Sequence, residues 1–189
     1  MSLVDLIAEA DDRGLATSGL ACLDRCVPLL GGDDETLRPL WGDLADTSDA
    51  ASWGELLERV RAALGSAGDV PGEAGDEEAV VLARGMLEAA PAERSAAALR
   101  VWADACSVAS LRIHLLLDPA ADASPIDVRR SGATEGMPPL AAAELRRQVT
   151  VLEVLAGHGA GGLRRALEVS TEGRRVLRAV VSRRARGRK

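Results

Sequence analysis

A core built from alanine, leucine and valine, with almost no aromatic residue to fill it, restricts this chain to helices. Its 189 residues include 34 Ala, 27 Leu and 16 Val, but only 3 Ile and 3 Trp, and no Phe or Tyr. Ala and Leu are the best apolar helix formers, whereas strands favour β-branched and aromatic side chains. Ala-lined faces also let helices approach closely. The length suits one domain with a sizeable core. The expected fold is an all-α, single-domain bundle of about eight helices arranged as hairpins over residues 1–182, with a short α-solenoid as the alternative.

Local signals mark the helices. Ser2 and Asp5 have capping-box spacing and open a short helix that Gly14 should end. Thr17 or Ser18 caps the next, whose stripe is Leu20, Leu23, Val27 and Leu30, with Pro28 distorting its last turn. Asp33, Asp34 and Glu35 precede a helix carrying Leu37, Leu40, Trp41 and Leu44. Ser52 and Glu55 form a second capping box. Residues 65–75 read as an acidic loop, and Asp76–Ala90 as a helix. Pro91 is placed to start the longest apolar stripe, Leu99, Trp102, Cys106, Ala109, Ile113 and Leu116, which marks the central helix. Residues 118–139 hold four Pro and read as a long irregular loop, with Ile126 and Val128 as a scrap of strand. Helices over 140–156 and 162–182 follow, and residues 183–189 read as a basic flexible tail.

Charge divides the chain more sharply than hydropathy does. Residues 1–80 carry 5 Arg against 18 acids, a net of −13, while residues 160–189 carry 9 Arg and 1 Lys against 2 acids, a net of +8. Two surfaces of opposite sign imply two kinds of electrostatic partner. The basic end is the leading candidate for partner binding, through Arg174, Arg175, Arg178, Arg183, Arg184 and Arg186. It can engage an acidic surface on this chain, on a second copy or on another protein. Nonspecific nucleic-acid binding through phosphate contacts is the alternative. An anionic membrane surface is disfavoured, because the apolar side of the last helix lacks Trp and Phe. The acidic N-terminal 50 residues argue against a DNA-binding helix-turn-helix there.

Motifs for chemistry are sparse. Gly157, Gly159 and Gly162 match G-x-G-x-x-G, and Val151–Gly162 resembles the first motif of class I methyltransferases that bind S-adenosylmethionine. That fingerprint needs a strand before the turn and further strand–helix units after it. Here a helix-forming segment precedes it and 27 residues follow, so a turn between helices is expected. Cys22 and Cys26 have i, i+4 spacing, but no second paired motif completes a metal site. Arg100 and Asp104 have the spacing of an ion pair. No cofactor and no metal are expected, and no nucleophile motif is present. A further alternative is a small-molecule pocket inside the bundle, walled by Trp102, Cys106 and His114. Three cysteines without a disulfide framework, and no run of apolar residues long enough to span a bilayer, fit a cytoplasmic protein.

Overall fold

A computed structural model describes residues 1–45, 51–65, 74–120 and 124–187. The helices are α1 (Leu3–Glu9), α2 (Asp12–Cys26), α3 (Arg38–Ala45), α4 (Ala51–Gly65), α5 (Ala74–Glu88), α6 (Ala96–Leu117), α7 (Ile126–Arg130), α8 (Pro139–His158) and α9 (Leu163–Arg186). Two 3-10 turns, Val27–Leu30 and Gly159–Gly162, extend α2 and join α8 to α9. No strand occurs among the described residues, and none of the helices is long and apolar enough to cross a membrane. The fold is an all-α, single-domain bundle.

The centre is α2, not the helix with the longest apolar stripe. Every residue from Gly14 to Cys26 is buried. Around α2 pack α6, α9, α8 and α3, with α5 covering α6 and the 3-10 turn after α2. These contacts between distant parts of the chain close the bundle, whereas a solenoid would join only neighbouring repeats. The pairs α3–α4, α5–α6 and α8–α9 pack as expected, but α1 leaves the expected pairing with α2 and lies on α8 and α6.

Small residues set the spacing. Ala16, Ala21, Ala79, Ala83, Ala103, Ala141 and Ala166 are all buried at the seams. Gly19 lies against the Trp102 ring, and a Cβ there would fall 2.6 Å from Trp102 Cε3. Trp102 in turn meets Trp53 edge to face at 6.2 Å between centroids. Both indoles are satisfied: Trp102 Nε1 donates to the Met86 carbonyl and Trp53 Nε1 to the Pro91 carbonyl, each at 2.9 Å.

Several helix ends differ from expectation. The Ser2 capping box is present. The cap of α2 is Asp11, whose Oδ1 accepts from Gly14 N at 2.7 Å, so Gly14 lies inside a helix that starts five residues before Thr17. Thr17 donates to the Arg13 carbonyl instead. Pro91 stays outside α6, which Ser95 caps. Arg100 caps the end of α1, with Nη1 donating to the carbonyls of Ile7 (2.7 Å) and Ala8 (2.6 Å), and Asp104 pairs with Arg130 rather than Arg100. Ile126 and Val128 lie in the single-turn α7, so the segment 118–139 carries a helix where a strand was expected. Residues 183–186 continue α9 as helix instead of forming a tail. Most of the 65–75 loop, and the side chain of Ser52, lie outside the described residues.

Candidate functional site

The 24-residue α9 has two unlike sides. Leu163, Ala166, Ser170, Gly173, Arg174 and Leu177 are buried against α2 and α8. The inward arginines meet the acidic N-terminal half. Arg174 is buried and pairs with the equally buried Asp24, and its Nε lies 3.2 Å from Asp34 Oδ1. Arg178 Nη2 donates to the same Asp34 oxygen at 2.8 Å. Arg184 Nε donates to Asp76 Oδ1 at 2.9 Å, at the first turn of α5. The Arg178 hydrogen bond, followed by the charges of Arg174 and Arg178, holds the Asp34 carboxyl below its usual range.

At ~100° per residue, Arg164, Arg165, Arg175, Arg183 and Arg186 fall within about 100° of one another on the opposite side of α9. All five are exposed. Glu168 pairs with the first two, lying 3.3 Å from each. Arg175, Arg183 and Arg186 make no ion pair among the described residues. Of the six arginines predicted to bind partners, three therefore clasp the chain's own acids, and three remain directed outward.

The residues predicted to wall a pocket lie in the interior of the bundle. Trp102, Cys106 and His114 are each 2% exposed or less. Burial pushes the Cys106 thiol well above its ordinary range, and Cys22 up to about 12. Cys26 is raised by the same cause. These protonated thiols act as small hydrophobes. Among the described residues, no three His, Cys, Asp or Glu side chains converge as metal ligands.

His114 belongs to a buried polar layer that the sequence reading did not find. Arg25 of α2 makes a two-pronged contact with Glu144 of α8, its Nε and Nη2 each 2.7 Å from a carboxylate oxygen. Glu144 Oε1 also accepts from Ser110 Oγ (2.7 Å) and Gln148 Nε2 (2.9 Å). Gln148 Oε1 accepts from Ser107 Oγ at 2.7 Å, and Arg130 Nε donates to that same Ser107 oxygen at 3.1 Å. Four helices thus share one connected network. Burial disfavours the Glu144 carboxylate, but the Arg25 charge and the Arg25 and Gln148 hydrogen bonds outweigh it and hold the group down to about 2. His114 Nδ1 lies 2.7 Å from the Ser110 carbonyl and must donate to it, which leaves Nε2 without a hydrogen-bond partner, 3.6 Å from Glu144 Oε2. Burial, only partly opposed by Glu144, keeps the imidazole neutral by lowering its pKa.

The only sequence signal for this layer was polar residues at inward helix positions, since its strongest pair is 119 residues apart. The glycine-rich segment, by contrast, joins two helices as expected: α8 runs through His158, and Gly159 takes the positive φ of +52° that turns the chain. With no strand before them, these glycines lack the context of a nucleotide-binding turn.

No protein-family model, curated protein or solved structure matches the chain significantly.

Proposed function

We propose that this protein is a non-enzymatic interaction module that associates through the outward face of α9 with an acidic protein surface, a second copy of the chain being the first such surface available. The observation that carries the reading is the division of charge on α9. Its inward arginines already meet Asp24, Asp34 and Asp76, whereas Arg175, Arg183 and Arg186 stand exposed without an ion pair among the described residues. An exposed cluster of one sign steers association with a surface of the other. This chain offers that surface too, with exposed acids such as Glu55, Glu58, Glu77 and Glu88 on α4 and α5. A two-fold dimer would make such a contact twice, the basic face of each copy on the acidic surface of the other.

The buried ionic layer supports the same reading. Its groups are directed at one another and fix the register of four helices, which gives the outward face a rigid support. Size-exclusion chromatography with light scattering, read at two wavelengths, tests the proposal. The wild type should self-associate at low salt and dissociate at high salt, and the triple variant Arg175→Glu, Arg183→Glu, Arg186→Glu should stay monomeric with unchanged helicity. A monomer that carries nucleic-acid absorbance until salt strips it would replace this reading with phosphate binding. A monomer free of nucleic acid at every concentration would overturn self-association.

A further inference from the structure

We infer that a groove between the C-terminal half of α9 and the α6–α8 corner is a binding site for an amphiphile with an alkyl chain and an anionic head. The groove encloses about 470 Å³, a volume within the ~300–1,000 Å³ of small-molecule sites. Its walls are Leu117 at the end of α6, Pro119 after it, Leu140 in the first turn of α8, and Val180 of α9, with Arg183 and Arg184 along one side. Leu140 and Val180 are half-buried and show their remaining apolar surface to this space. Such lining takes a hydrocarbon chain, because burying methylene groups away from water is favourable.

The charged groups around the groove determine which head group fits. Asp118 lies in the wall, but its two oxygens are engaged by backbone amides, Oδ2 accepting from Leu140 N at 2.8 Å and Oδ1 from Ala120 N at 2.9 Å. It sits at the N-terminus of α8, where the helix dipole offsets its charge. Arg184 is paired with Asp76. Arg183, exposed and without an ion pair among the described residues, is then the uncompensated charge at the edge of an apolar groove. A chain ending in a carboxylate matches both parts, whereas a cationic head would meet Arg183 unfavourably. The groove shares Arg183 with the association face proposed above, but its apolar walls, Leu117, Leu140 and Val180, lie outside that face.

Calorimetric titration of the full-length protein with dodecanoate, kept below its micelle concentration, tests the inference. Saturable 1:1 binding is expected, with dodecyltrimethylammonium at least tenfold weaker. Val180→Trp, which fills the groove from a half-buried position, should weaken dodecanoate binding at least tenfold, and Arg183→Glu several-fold. Arg164→Glu, on the same helix and away from the groove, should leave it unchanged. Co-sedimentation with phosphatidylglycerol vesicles separates a free anion from a membrane lipid as the source of the head group. Vesicle binding that Val180→Trp also abolishes would place a lipid chain in the groove and keep the site. Absence of saturable dodecanoate binding, equal binding of the cationic amphiphile, or binding indifferent to both Val180→Trp and Arg183→Glu would each overturn the inference.

Discussion

Gly173 of α9 faces Arg25 of α2 so closely that a Cβ on the glycine would lie 2.4 Å from the arginine Cδ. The arginine cannot step aside, because its guanidinium is held along its Nε–Nη2 edge by both oxygens of Glu144. Gly173→Ala should therefore destabilise the fold by about 1–3 kcal/mol, the usual range for overpacking a filled core. Gly85, exposed within α5 and with no atom near its missing Cβ, is the control. Gly85→Ala should stabilise by about 0.5–1 kcal/mol through helix propensity alone. Urea denaturation followed by circular dichroism measures both, and changes of the same sign would refute the steric account.

Removing one partner of the Arg25–Glu144 pair leaves the other buried and charged. Glu144→Ala should cost about 3–5 kcal/mol, whereas Arg25→Met combined with Glu144→Leu should recover most of that loss. Strong non-additivity in the double-mutant cycle is the expected signature. Additive losses would mean that the two side chains act independently.

Stability should fall in two stages as the solution is acidified. Folded His114 is held neutral, so below its ordinary pKa of 6.5 the unfolded chain takes up a proton that the folded chain refuses, and stability drops. Glu144 adds a second loss between 4.5 and about 2, where the unfolded carboxyl is protonated and the folded one is not. Asp24 opposes part of this second stage, since burial raises its carboxyl pKa despite Arg174. His114→Gln should flatten the first stage in denaturation curves taken between about pH 5 and 7. A slope unchanged by that substitution would assign the first stage to other groups.

What could be read from the sequence was local. The Ser2 capping box, the Trp41 and Leu44 stripe and the glycine turn after His158 each depend on neighbours within a few residues, and each is present. The centre of the bundle was not legible. Helix α2 is buried all round by Gly14, Ala16, Thr17, Ser18 and Gly19, side chains too small or polar to draw an apolar stripe. Arg25 and Glu144 resemble surface charges until α8 returns to α2. Arg129 and Arg130 likewise sit in a segment that reads as loop, yet both are buried: Arg129 Nη1 donates to the carbonyls of Ala133 (2.8 Å) and Glu135 (2.7 Å), and Arg130 pairs with Asp104. Long-range pairing of charges has no period, so it leaves no pattern in a single sequence.

Two arginines one turn apart on α9 should differ greatly in their contribution to stability. Arg174 is buried against Asp24, and Arg174→Ala should cost about 3–5 kcal/mol by leaving that carboxylate alone. Arg178 and Asp34 are each 44% exposed, and Arg178→Ala should cost no more than about 1 kcal/mol, less at high salt. Equal losses in thermal denaturation would contradict the seating of α9 described above.

The three cysteines offer a direct probe of that seating. Cys22, Cys26 and Cys106 are fully buried around α2 and α6, and burial raises all three thiols above their ordinary range. Since the thiolate is the reactive form, a disulfide reagent at about pH 8 should label none of them in the native state and all three in concentrated guanidinium. Between those limits, labelling should follow the opening of the bundle, rising with denaturant as the population of open states rises. Gly173→Ala should accelerate the labelling of Cys22, because that thiol accepts from Arg25 Nη2 at 3.4 Å beside the seam that the new methyl group would pry apart. Labelling of Cys22 in the native protein at the rate of a free thiol would mean that α9 does not close over α2, and the inward and outward arginines of α9 would lose their distinction.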